Sequence, residues 1–337
     1  VADFAGLRLP VMAAPMTMAS TTELIIACCR AGVIGGFQAA NAGPPESFAV
    51  WCEVLAAART QALAAGEPFA PFVVNLLATA ARDEGAHRAR LDICRAHRWP
   101  LILTTGGDPS AVVEEAHDWG ARVLHDVTTV RHIDKAVGAG VDGLMLVTAG
   151  SGGLAGTLNP FAFVAEARRR FDGVLVLAGG IAEGRGVAAA LALGADIACL
   201  GTRFIATQES GVPDAYRRMV VECCADDVIY TDALAGLPAN FLKPSIIDNG
   251  LDPAHLPPPR GRFRPDLPDG VRPWRTLWSA GHSAGLVHDA PSVAEVVGRL
   301  AGEFERHCVT PDWRGRLEVA LAAPHSTVRA DAGETVQ

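Results

Sequence analysis

Gly179-Gly180 and Gly201-Thr202 each end a short apolar run, Leu175-Val176-Leu177-Ala178 in one case and Cys199-Leu200 in the other. Each pair leaves backbone N–H groups uncovered where a buried strand stops. Alone, either pair has a plainer reading as a tight turn. Two such ends side by side form a cradle for a phosphate, and in a (β/α)8 barrel the loops after the last two strands are the recurrent place for one.

Other side chains offer proton chemistry. Leu124-His125-Asp126-Val127 closes another apolar run with an imidazole and a carboxylate, a pair suited to acid/base work at the mouth of a barrel. His125 also has a plainer reading, as a buried imidazole satisfying a backbone carbonyl. His282, in Ser279-Ala280-Gly281-His282, is either a polar contact or a capped surface residue in a glycine-rich turn. Asp226-Asp227 and Tyr230-Thr231-Asp232 gather acids without the spacing of a metal-ligand set, so no metal is expected.

Strands and helices alternate along the chain to position these residues. Strands are expected at Leu9 to Ala14, Val33 to Phe37, Pro71 to Leu76, Pro100 to Thr104, Arg122 to His125 and Gly143 to Val147, followed by the two runs that end in glycine. Helix starts are marked by Ser20-Thr21-Thr22-Glu23, read as a capping box between Ser20 and Glu23, by Asp108-Pro109, and by Asn159-Pro160. The stretch from Asn41 to Phe69 is helical, with Phe48, Trp51, Leu55 and Ala58 on one face. The alternation predicts an α/β fold, a (β/α)8 TIM barrel with a smaller C-terminal or inserted appendage. Residues 1–215 are assigned to the barrel, completed by part of 275–337, and 216–275 to the appendage on the substrate side. From Asp252 to Trp274 proline and arginine are dense, which excludes a regular helix or central strand and leaves a surface loop or a basic lid for an anionic substrate.

Composition sets the outer limits. The chain has 337 residues, 50% of them hydrophobic, enough for one large α/β domain with an appendage. A formal net charge of -8 argues against nucleic-acid or anionic-membrane partners, each of which needs a basic face. The eight cysteines lack disulfide or zinc spacing and read as small core residues in a reducing compartment. With neither a leader pattern nor an apolar run of spanning length, a cytoplasmic, monomeric or homodimeric protein acting on a small molecule is expected.

The chain resembles the nitronate monooxygenase family, formerly called 2-nitropropane dioxygenases, which also takes in flavin-dependent enoyl-ACP reductases of the same barrel. The resemblance is carried by Met12-Ala13-Ala14-Pro15-Met16, Val74-Asn75-Leu76, Ala139-Gly140-Val141-Asp142-Gly143 and the glycine loop Ala149 to Gly156. It continues through Ala178-Gly179-Gly180-Ile181, Gly201-Thr202-Arg203-Phe204 and Trp278-Ser279-Ala280-Gly281. It implies FMN as cofactor, with phosphate on Gly179, Gly180, Gly201 and Thr202. It also implies Ala14, Pro15 and Met16 against the isoalloxazine, Asn75 at its polar edge, and Gly150 and Gly153 in the loop beside it.

One departure bears on chemistry. The family's glycine loop characteristically places a histidine where this chain has Leu154, and leucine neither transfers a proton nor hydrogen-bonds a nitro group. His125, Asp126 and His282 are the candidate replacements. The expected activity is FMN-dependent oxidation of a nitronate or similarly activated carbon acid. The alternatives are oxidation or reduction of an acyl-CoA or enoyl thioester, and an FMN-binding barrel that has lost catalysis.

Overall fold

Apolar segments bounded by glycine, proline or a helix cap become strands buried on both faces, as parallel strands flanked by helices must be. The computed structural model describes residues 6–78, 84–310 and 312–322. In chain order the strands are β1 (Val11–Ala13), β2 (Ile34–Gln38), β3 (Phe72–Leu77), β4 (Leu101–Thr105), β5 (Arg122–Val127), β6 (Gly143–Val147), β7 (Gly153–Leu154), β8 (Val174–Ala178) and β9 (Ile197–Leu200). All but β7 close into one parallel barrel in the order β1-β2-β3-β4-β5-β6-β8-β9, with β9 pairing back onto β1. This is the expected TIM barrel.

Helices cover the outside. Thr22–Ala31 ends at Gly32, whose left-handed φ of 86° lets its N–H bond the carbonyls of Cys28 and Cys29. Phe48, Cys52 and Leu55 of the helix Pro45–Ala64 are buried, and the tilted ring of Phe37 meets Phe48 and Trp51. The late helix Val293–His307 opens with a capping box between Ser292 and Glu295 and buries Val297, Leu300 and Phe304 in the main core. It docks tightly on the unit after β8: a Cβ at Gly184 would lie 2.2 Å from the Leu300 carbonyl oxygen, and the Gly184 N–H donates to Glu303 at 2.7 Å.

The base of the barrel repeats one device. Asp142, before β6, accepts from the Val123 N–H at the start of β5 at 2.8 Å and pairs with Arg122 and His117. Asp196, before β9, accepts from the Leu175 N–H of β8 at 2.9 Å and pairs with Arg168 at 2.6 Å. In both places a carboxylate at the foot of one strand satisfies an amide of its neighbour.

The first capping box is corrected. Thr21, not Ser20, is the N-cap of Thr22–Ala31, its hydroxyl accepting from Leu24 N–H at 3.4 Å. Ser20 turns back instead, accepting from Met16 N–H at 3.0 Å and donating to the Ala14 carbonyl at 3.3 Å. A hydroxyl with one donor and two lone pairs does both, so Ser20 pins the turn after β1. The helix after Asp108-Pro109 begins at Ser110, whose N–H the Asp108 side chain accepts at 2.9 Å.

A second, smaller sheet stands beside the barrel mouth. β10 (Val228–Thr231) and β11 (Ala239–Leu242) run antiparallel, and β7 adds to the far edge of β11 with Leu154 opposite Ala239. Its core is Leu234, Phe241, Ile246 and Leu277, against which Leu154, Leu267, Val271 and Trp274 pack. The proline- and arginine-rich stretch carries no helix or ladder strand; it folds over this core through those last three residues. Residues 323–337, within the segment expected to complete the barrel, lie outside the described residues.

Candidate active site

Strand geometry sorts the candidates, because successive side chains of a strand point to opposite faces. Phe37 faces the helical layer, and the register carries that face from Phe37 to Val74, Ile102 and Val123. His125, two residues beyond Val123, therefore faces the helices. The other face runs from Gln38 through Asn75 and Leu103 to Leu124. Asn75, Thr105 and Asp126 therefore share the lumen side at the C-terminal mouth of three adjacent strands.

The contacts agree with this sorting. His125 is 5% exposed, with Nδ1 at 2.8 Å from Thr104 Oγ1. The Thr104 hydroxyl donates to the Leu124 carbonyl at 3.1 Å, so its oxygen accepts and His125 Nδ1 carries the proton. Burial, with His132 acting in the same sense, pushes the imidazole pKa down to about 4, so His125 is neutral at physiological pH. Asp126 instead accepts from the Gly106 N–H at 3.2 Å. Burial pushes its carboxyl pKa up to about 6, although the Gly106 N–H and the Thr105 hydroxyl both pull it down.

The remaining candidates gather on the other arc of the mouth. After β1, Ala14, Pro15 and Met16 form a turn held by Ser20 and by Asn41, whose Nδ2 donates to the Met16 carbonyl at 2.8 Å. A Cβ at Gly201 would lie 3.6 Å from both the Ala14 Cβ and the Met16 sulfur, so the ends of β1 and β9 make one small apolar shelf. Thr202 is buried and its Oγ1 accepts from the Gly281 N–H at 2.9 Å.

Gly179 and Gly180 both take positive φ, 131° and 72°. Their N–H groups find no protein acceptor among the described residues. A Cβ on Gly179 would strike Thr148 Oγ1 at 2.4 Å, whereas one on Gly180 would meet nothing within 4 Å. Two consecutive free amides in a turn of positive φ, with open space beside Gly180, suit an anion. These residues therefore fit a phosphate-bearing group.

Loop Thr148–Gly153 is clamped to this cradle. Thr148 and Ser151 hydroxyls both donate to the Ala178 carbonyl, at 2.8 and 3.0 Å, and Asn240 of β11 donates to the Ser151 carbonyl at 2.7 Å. His282 is exposed; its N–H donates to the Gly150 carbonyl at 2.9 Å, and a Cβ on Gly150 would lie 3.0 Å from its Nδ1. Gly150, with φ 86°, is thus the residue that lets the imidazole lie against the loop. Gly153 and Leu154 form β7, and Leu154 packs into the appendage core with Trp274. Thr105 and Asn240 are absent from the sequence reading, and Ser20 enters it only as a helix cap. Alternation along Leu103-Thr104-Thr105 was enough to put Thr105 beside Asp126 in the lumen, but nothing local marks Asn240, whose partner is far away in sequence.

This arrangement, a parallel barrel with an anion cradle and a lumen carboxylate at its mouth, was compared with known proteins. Residues 1–303 match the nitronate monooxygenase family. The chain belongs to that family. Among its relatives, a nitronate monooxygenase of Paraburkholderia phytofirmans is 28% identical over 89% of this chain and 93% of its own length. A Mycobacterium tuberculosis relative, (3aS,4S,5R,7aS)-5-hydroxy-7a-methyl-1-oxo-octahydro-1H-indene-4-carboxyl-CoA dehydrogenase, is 29% identical over 73% of this chain and 66% of its own. The solved nitroalkane oxidase of Streptomyces ansochromogenes shares the fold, with a TM-score of 0.75 at 22% identity over 90% of this chain and 98% of that one. Like its relatives, this family member is an oxidoreductase. Among the described residues, no helix is long and apolar enough to cross a membrane.

Proposed function

We propose that the chain is an FMN-dependent oxidoreductase that oxidises an activated carbon acid, a nitronate or a compound of similar acidity, with Asp126 as its proton carrier. The observation that carries this reading is the lumen-facing carboxylate of Asp126 on the same barrel mouth as the free amides of Gly179 and Gly180. FMN, when bound, takes up the electron pair that leaves the substrate carbon. Gly179, Gly180, Gly201 and Thr202 would hold its phosphate. Ala14, Pro15 and Met16 would support the ring, and the Asn75 carbonyl oxygen, left over once its nitrogen is hydrogen-bonded, would accept from the ring edge.

The protein's own part is position and one proton. A carboxyl group near pKa 6 is populated in both forms around neutrality, which is what a proton carrier needs. Leu154 supplies an apolar wall where the family has a histidine. His125, neutral and turned to the helices, acts as a structural hydrogen-bond partner of Thr104. His282 is a contact of the glycine loop.

A second reading has its own support. Arg262, Arg264, Arg272 and Arg275 are exposed and have no salt bridge among the described residues. Their stretch reaches the glycine loop through Trp274, whose Nε1 would lie 3.7 Å from a Cβ on Gly153. Exposed guanidinium groups on this stretch suit the phosphates of an acyl-CoA, in line with the name of the mycobacterial relative. Steady-state assays with nitronates, and with enoyl-CoA plus NADH, separate the two. Turnover of neither by FMN-loaded protein would reject both.

A further inference from the structure

We infer that Thr105 is a positioning residue that holds the Asp126 carboxylate in one orientation and sets its affinity for a proton. The inference rests on the reading of Asp126 as proton carrier.

Asn75, Thr105 and Asp126 come from β3, β4 and β5 and stand side by side on the lumen face. The β3–β4 register places Asn75 opposite Leu103, two residues before Thr105, and extending the β4–β5 register past Thr104 and His125 sets Thr105 beside Asp126. Asn75 Nδ2 donates to Thr105 Oγ1 at 2.8 Å and to the Leu103 carbonyl at 3.3 Å. The amide cannot be turned over, because its oxygen would then oppose the Leu103 carbonyl. An N–H therefore always enters the Thr105 oxygen, and the single hydroxyl proton stays available to the neighbouring Asp126. The Gly106 N–H, at φ 64°, supplies the other donor at 3.2 Å.

Gly106 and Thr105 both belong to the end of β4, so they meet the carboxylate from one side. Each favours the ionised form against the effect of burial. No charged side chain contributes to the balance at Asp126. Strand β6 presents Met145 opposite it, and β3 and β4 present Asn75 and Thr105, none of them titratable. The titratable groups nearby are turned elsewhere: Asp108 bonds Ser110, and His125 and His132 bond Thr104 and Thr128 on the helical side.

The test is the pH titration of ¹³Cγ-labelled aspartate in FMN-loaded protein, with the Asp126 resonance assigned by its loss in Asp126→Asn. Thr105→Val, which swaps the hydroxyl for a methyl, is expected to move the Asp126 midpoint up by about one unit. Thr105→Ser is expected to restore it. Thr105→Ala makes the same prediction as valine should the valine variant fold poorly. A wild-type midpoint in folded Thr105→Val or Thr105→Ala would reduce Thr105 to a packing residue and overturn the inference. The proton-carrier reading fails separately, if Asp126→Asn keeps wild-type turnover while the Thr105 variants still shift the midpoint.

Discussion

His125 and Asp126 are neighbours in the chain but face opposite sides of β5, the imidazole toward Thr104 and the helical layer and the carboxylate toward the Gly106 amide in the barrel mouth. Their burial therefore couples folding to pH with opposite signs. The unfolded histidine takes a proton near pH 6.5, whereas the folded one resists until about 4, so its contribution to stability is complete above 6.5 and is lost as pH falls through 4. The unfolded aspartate ionises near 3.8 and the folded one near 6, so its effect favours folding most below 3.8 and weakens as pH rises through 6.

Thermal unfolding of two variants should expose these opposed slopes. His125→Gln should cost about 1 kcal/mol at pH 7 through the altered bond to Thr104, yet lose less stability than wild type between pH 6.5 and 4. Asp126→Asn should be as stable as wild type or more so at pH 7, and its advantage should shrink toward pH 4. Parallel pH profiles for the two variants would contradict the burial of both groups in their uncharged forms.

The barrel was legible because eight apolar runs alternate with capped helices, and the glycine pairs could be placed at strand ends by the same pattern. The pairing of His125 with Asp126 as one acid/base unit did not follow from adjacency, since a strand sends consecutive residues to opposite faces. Ser20 shows a different limit. Ser20, Thr21 and Thr22 are all competent caps, and the choice of Thr21 depends on Ser20 being claimed by Ala14 and Met16, contacts that exist only after β1 has entered the barrel. Leu154 was recognised as a departure, but its packing under Trp274 depends on a sheet whose strands come from distant parts of the chain.

Turnover separates the two β5 residues more sharply than stability does. Asp126→Asn should keep the fold and bound FMN and lower kcat by about 10²–10⁴-fold, the usual cost of a lost general acid or base. His125→Gln should leave turnover of folded protein near wild type. Steady-state kinetics on flavin-normalised protein checks both, and a large loss in His125→Gln with none in Asp126→Asn would reverse the assignment.

Leu154→His restores the family's residue inside an apolar cluster. Nitronate turnover should rise above that of the unaltered chain, and unfolding should occur at lower temperature because a polar ring replaces a packed leucine beside Trp274. Unchanged nitronate turnover in folded Leu154→His would show that this position does not govern the substrate.

The central claim is that the glycine turn after β8 holds FMN phosphate, and flavin binding by two glycine variants tests it most directly. Purified protein should carry a flavin absorbance and release FMN, not FAD, on denaturation. Gly180→Val should bind FMN more weakly, since its side chain would enter space that is open in the protein and needed by the phosphate, and thermal unfolding of the flavin-free variant measures the separate cost of a branched residue at φ 72°. Gly179→Ala should unfold at lower temperature, because its methyl would strike Thr148 Oγ1. Protein that cannot be reconstituted with FMN, or a Gly180→Val variant with wild-type FMN affinity, would contradict the account.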